Sequence, residues 1–135
     1  MTDFGKQIEA HVERYKRRLR VVAKESVQET VKIAQRPVGD GGRMRVDTGF
    51  LRASIAANIG GMPSGESKGD GEAATYTGNA VSATLLQWDL KDTLYVGWTA
   101  SYSRAREYKD GFMRGATELW STTVDEVAMK VRRSL

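Results

Sequence analysis

The chain has 135 residues, 40% hydrophobic and 28% charged, which suits one globular domain whose core closes without staples. No cysteine is present, so disulfides, thiolate catalysis and cysteine zinc sites are excluded together. The formal charge of +4 is a mild basic excess that suits acidic partners or nearby nucleic acid without being a nucleic-acid signature.

The stretch from Met1 to Gln7 lacks the apolar core of a secretory signal, and no apolar run is long enough for a bilayer. The protein is therefore expected in the cytoplasm when made, with no membrane partner. From about residue 3 to residue 36, Phe4, Ile8, Val12, Tyr15, Leu19, Ala23, Val27, Val31 and Ala34 recur at steps of three and four. That spacing predicts a long amphipathic helix of roughly 50 Å, longer than a domain of this size needs for its own core, so part of it is expected to pack on something else. Its other face carries Lys16, Arg17, Arg18, Arg20 and Lys24 among Glu9, Glu13, Glu25 and Glu29. A solvated face accounts for such a pattern; contact with nucleic acid or an acidic neighbour is the functional alternative. The single histidine, His11, lies on this helix and reads as a surface residue rather than a metal ligand.

Pro37 ends the helix, because it donates no backbone hydrogen bond and biases Arg36 away from helical geometry. Residues 38–45 then read as a flexible glycine-rich loop. It leads into Val46-Asp47-Thr48-Gly49-Phe50-Leu51-Arg52-Ala53-Ser54-Ile55. Here Asp47 and Thr48 are suited to cap the donors of a tight turn, and Gly49 supplies a backbone conformation that a β-carbon opposes. Leu51, Ala53, Ile55, Ala57 and Ile59 alternate with other residues and predict a strand over 51–59, with a helical turn at its start as the alternative.

The glycine- and serine-rich segment at about 60–75 reads as a mobile loop; it lacks the glycine-lysine-serine/threonine spacing of a phosphate loop. Residues 79–90 predict a short helix, and Thr93 to Trp98 is the clearest strand of the chain. Ser103 to Tyr108 reads as a turn or two of helix. From Phe112 to about residue 133, helical spacing returns, with Arg132 and Arg133 suited to the carboxyl-terminal dipole. The fold class is α+β: a long amino-terminal helix, a small, mostly antiparallel sheet with a short helix, and a closing amphipathic helix, both long helices covering the sheet.

Catalytic chemistry is missing from this pattern. No base sits beside a candidate serine or threonine nucleophile, and Asp40, Asp47, Asp70, Asp89, Asp92, Glu107 and Asp110 fall at turns and loops with no spacing that singles out a pair. No catalytic, cofactor or metal residues are expected. Tyr95, Trp98, Tyr102, Tyr108, Phe112 and Trp120, with Arg104, Arg106 and Arg114, form a candidate stacking surface for single-stranded nucleic acid, although strand and helix periodicity explain most of these rings as core. A small basic nucleic-acid-binding protein is accordingly the alternative reading.

Two stretches together resemble the neck and minor tail proteins of tailed bacteriophages, of the tail-completion or head-tail connector type. The first is Val46-Asp47-Thr48-Gly49-Phe50-Leu51-Arg52-Ala53-Ser54. The second is Leu94-Tyr95-Val96-Gly97, then Tyr102, then Glu107-Tyr108, with Gly111-Phe112-Met113-Arg114 entering the last helix. The chain departs from the pattern where glycine and arginine residues separate Pro37-Val38 from Asp47-Thr48-Gly49, and where Lys109-Asp110 separates Tyr108 from the expected glycine. The resemblance implies a non-enzymatic virion protein that forms a homo-oligomeric ring, six-fold, at the head-tail junction. Its implied partners are other neck, tail-terminator or tail-tube proteins, with DNA passing through the channel as a further contact. Asp47, Thr48, Gly49, Leu51, Arg52, Tyr102, Glu107 and Tyr108 are the family-motif or interface candidates. Of these, Arg52 and Glu107 are the ones expected to fix the motif turns or the subunit interface.

Overall fold

The computed structural model describes residues 3–63 and 73–134. Helix α1 spans Asp3–Ala34 and, at 32 residues, is the longest element. Its end falls two residues short of the expected 36, because Gln35 closes the last turn through a bond from its N–H to the Val31 carbonyl, 2.8 Å, ahead of Pro37. A short 3₁₀ turn over Val38–Asp40 follows, and the stretch to Arg45 differs from the flexible loop expected there. Val38 N–H donates to the Met44 carbonyl at 3.0 Å, Met44 N–H donates to Arg36, and the Met44 side chain is fully buried. A buried apolar anchor with paired backbone on both sides turns eight loop residues into a closed structure. Gly42 is required there, since a β-carbon would collide with the Arg36 carbonyl.

Helix α2, Phe50–Ala53, occupies the start of the expected 51–59 strand, and strand β1 is confined to Ile55–Ile59. The helical turn wins because Ala53 and Ser54 N–H groups donate to the Gly49 and Phe50 carbonyls at 2.9 and 3.0 Å, which places Leu51 in the core. The mobile loop expected at about 60–75 falls largely on residues 64–72, outside the described residues. Helix α3, Asn79–Gln87, is three residues shorter than expected, because the chain turns extended at Trp88. Strand β2, Leu94–Trp98, pairs antiparallel with β1 in the register Ile55 to Trp98 and Ile59 to Leu94. Helix α4 spans Ser103–Asp110.

The closing helix expected over 112–133 is present as two segments, α5 (Phe112–Thr117) and α6 (Trp120–Ser134). At the break Leu119 N–H takes the tighter i−3 carbonyl of Ala116 at 3.2 Å, while Glu118 N–H still reaches the Arg114 carbonyl at 3.0 Å.

One face of the two-stranded sheet, carrying Ile55, Ala57, Leu94, Val96 and Trp98, packs against Val27 and Val31 of α1 and against Val81 and Leu85 of α3. The period-2 alternation of both strands thus feeds a single cluster. A second cluster joins Ala34, Met44, Leu51 and Ala100 to Phe112 and Ala116 of α5. It is α1 and α3 that cover the sheet; α6 lies instead along α1. Because α5 sits at the carboxyl end of α1, α6 runs back toward the amino end. Its 15 residues reach roughly 22 Å, about half the length of α1. Among the described residues no helix is long and apolar enough to cross a membrane.

Ser26 in α1 is fully buried and its Oγ has no hydrogen-bond partner. Replacing it removes an unpaired hydroxyl and adds helix propensity. Ser26→Ala should therefore raise the thermal midpoint, by about 3 °C for about 1 kcal/mol, in a calorimetric melt.

Candidate functional site

The knot that holds the opening motif begins at Gln35, which is 1% exposed although it is polar and follows a helix end. Its side-chain amide donates to the Arg52 carbonyl at 2.7 Å, and its side-chain oxygen accepts the indole N–H of Trp98 at 2.7 Å. Its backbone carbonyl accepts from Nε of Arg52 at 3.0 Å, so Gln35 and Arg52 grip each other in both directions. The Arg52 guanidinium lies 5.0 Å over the Tyr76 ring, a cation–π contact. The Trp98 ring meets Phe112 edge to face at 4.9 Å. Helix α1, the turn before β1, the end of β2 and helix α5 therefore converge on one buried amide.

Of the two residues expected to cap the turn, Thr48 does so, whereas Asp47 is exposed and makes no cap bond among the described residues. Thr48 Oγ1 accepts the Phe50 N–H at 3.3 Å, and the Thr48 carbonyl accepts Ala74 N–H at 3.2 Å. Gly49 adopts φ +84°, and a β-carbon there would collide with the Ala74 carbonyl. Leu51 is buried in the second core cluster, while Asp47 is exposed. The two motif stretches meet through the rings of Phe50 and Tyr102, 6.2 Å apart and tilted.

Glu107 serves a different turn. Its two carboxylate oxygens accept the N–H groups of Met113 and Arg114 at 2.8 and 3.0 Å, satisfying donors at the start of α5 that have no partner within the helix. Tyr108 is 83% exposed and touches neither turn closely enough to bond it.

Between the two stretches lies an open groove of about 1180 Å³, walled by the 3₁₀ turn, residues 43–52 and one face of α4. Asp47, Thr48, Gly49, Leu51, Arg52 and Tyr102 line it; Glu107 and Tyr108 do not. Its lining holds Arg43, Arg45, Arg52, Arg106 and Lys109 against the carboxylates Asp47 and Asp110. Asp110 is already engaged with Arg106, whose Nη2 donates to Oδ1 at 3.0 Å while Nε lies 3.0 Å from Oδ2 as an ion pair across one helical turn. What is left is a basic surface suited to an anionic group or an acidic segment. Residue spacing missed Gln35 and the cations Arg43 and Arg45, since a glutamine after a helix and arginines between glycines both read as solvated.

The candidate stacking surface is not assembled as one face. Trp98 and Phe112 are committed to the core, whereas Tyr108 and Trp120 are exposed. Among the described residues no group of three or more histidine, aspartate or glutamate side chains is placed to hold a metal ion. Compared with protein-family models, with curated proteins and with solved structures, the chain matches none.

Gln35→Leu strands the Trp98 indole and the Arg52 carbonyl without partners, and should cost about 2 to 4 kcal/mol in chemical denaturation. Glu107→Ala loses two charge-assisted bonds at one helix start and should cost about 1 kcal/mol. Equal losses for the two would contradict this ranking of the knot above the cap.

Proposed function

We propose that this chain is a structural virion protein of the phage neck or tail end, a non-enzymatic subunit of a six-fold ring that joins or completes the head-tail junction. The reading rests on the joint order of the two motif stretches and on one observation about α1. From Phe4 to Leu19 the apolar residues of that helix lie in solvent, 45% to 71% exposed, while the rest of the helix packs on α3, α5, α6 and the sheet. A continuous uncovered apolar stripe on a rigid element is the mark of an assembly subunit rather than of a self-sufficient monomer. In the virion the protein meets neighbouring rings of terminator, stopper or tube subunits, and its basic surfaces face either those neighbours or the DNA in the channel. Electron microscopy of the purified protein, alone and mixed with tail tubes, should show rings or decorated tube ends. A protein that forms no ring and leaves tube ends bare would sink the proposal.

The second reading, a nucleic-acid-binding protein, draws on the cations of the groove and on Arg17, Arg18 and Arg20 of α1. It predicts micromolar DNA or RNA binding whose log affinity falls linearly with log salt, by roughly 0.7 to 0.9 per phosphate contacted. Neutralising Arg17, Arg18 and Arg20 together should abolish that binding; affinity that ignores both salt and these arginines would exclude it.

A further inference from the structure

The uncovered stripe has a finer pattern than amphipathicity requires. Ile8, Val12, Tyr15, Leu19 and Val22 follow one another at steps of four, three, four and three, the seven-residue repeat of a helix-pairing seam. The seam runs on to Ser26, where α1 is buried by its own domain. From Phe4 to Leu19 the apolar side chains of α1 are exposed, and a contiguous apolar stripe on a surface helix marks an interaction face.

We propose that a second copy of this chain covers it, with the amino-terminal halves of the two α1 helices paired antiparallel. Charge decides both the occupant and the direction. Of the charges in this half, Asp3, Glu9 and Glu13 precede Arg14 with Lys6 among them, a net acidic part, and a basic part runs from Arg14 through Arg20 to Lys24. Parallel pairing lays the basic part on itself. Antiparallel pairing lays it along the acidic part of the other copy. Centred between Val12 and Tyr15, it sets Ile8 level with the partner's Leu19 and Val12 level with the partner's Tyr15. The same register brings Glu9 beside the partner's Lys16 and, by the two-fold symmetry, Lys16 beside the partner's Glu9, along one edge of the seam. Lys16 at present has only Glu13 of its own helix, 3.7 Å away, with both side chains more than half exposed, an ion pair that yields readily.

Such a pair is isologous and closes at two copies, whereas a ring is built from head-to-tail contacts. The dimer is therefore a state of the free protein, separate from the proposed ring, and it hides the apolar stripe until an assembly partner displaces one copy. The inference goes beyond the proposed function and fails independently of it.

Sedimentation equilibrium over a range of concentrations should show a monomer-dimer equilibrium. Val12→Glu combined with Tyr15→Glu should leave a monomer that still melts cooperatively, since both residues lie outside the core, with a midpoint that no longer depends on protein concentration. Glu9→Lys should weaken the dimer about fivefold, and adding Lys16→Glu in the same chain should restore it. Because the chain has no cysteine, direction is read by oxidation: Ile8→Cys should cross-link to a Leu19→Cys chain and not to itself. A monomer at every concentration, a dimer indifferent to the glutamates, or self-linkage of Ile8→Cys would each overturn the proposal. Tail-end binding by a protein that never dimerises would overturn this inference while leaving the ring reading in place.

Discussion

The structure depends on one buried amide. Gln35 stands where α1 must stop, and each of its hydrogen-bonding groups has a partner: Val31, Arg52 twice, and Trp98. In a low-dielectric core a fully satisfied polar group specifies a unique arrangement, because every alternative leaves a donor or acceptor stranded. The amide ties the end of the long helix to the turn that feeds β1 and to the indole that closes β2. Phe112, edge-on to the same indole, brings in α5. The angle between helix and sheet is set at this point, and the rest of the chain is hung from it.

From that anchor the first helix divides in two. Its carboxyl half is a wall of the core, shared by the sheet, α3 and α5, with α6 lying alongside. Its amino half carries the same apolar periodicity into solvent. Along the helix burial gives way to exposure between Ser26, which is fully buried, and Leu19, which is half exposed. The basic groove lies on the other side of the knot, between the two motif stretches, with Arg52 belonging to both. The molecule thus carries two chemically different surfaces, an apolar one on α1 and a basic one at the groove.

Much of the α+β order was legible from residue spacing. The 3.6-residue period marked both long helices, the β-branched and aromatic run from Thr93 marked β2, and Gly49 marked a turn that needs positive φ. Where expectation and structure part, the reasons lie in contacts distant in sequence or in hydrogen bonds that periodicity does not register. Leu51 became helical because its turn could deliver it to Met44 and Phe112. Residues 38–45 became ordered because Met44 found that same cluster. The last helix broke where Leu119 N–H closed on the i−3 carbonyl of Ala116 instead of continuing the i−4 ladder. The candidate site was half legible: six of its eight residues line the groove, but Gln35 and the groove's extra arginines carried no local signal, and Glu107 turned out to serve the start of α5.

The sequence by itself determined the class of elements, their order, the absence of thiol chemistry and the excess length of the first helix, all consequences of composition and of short-range periodicity. Only the tertiary structure decided which half of that helix is left uncovered, that α3 rather than the closing helix shares the sheet face with α1, and that a glutamine holds the motif turn. Those depend on which faces of α1 meet the other elements and on which buried donors meet which acceptors. Both are matters of three-dimensional packing, and no run of neighbouring residues encodes them alone.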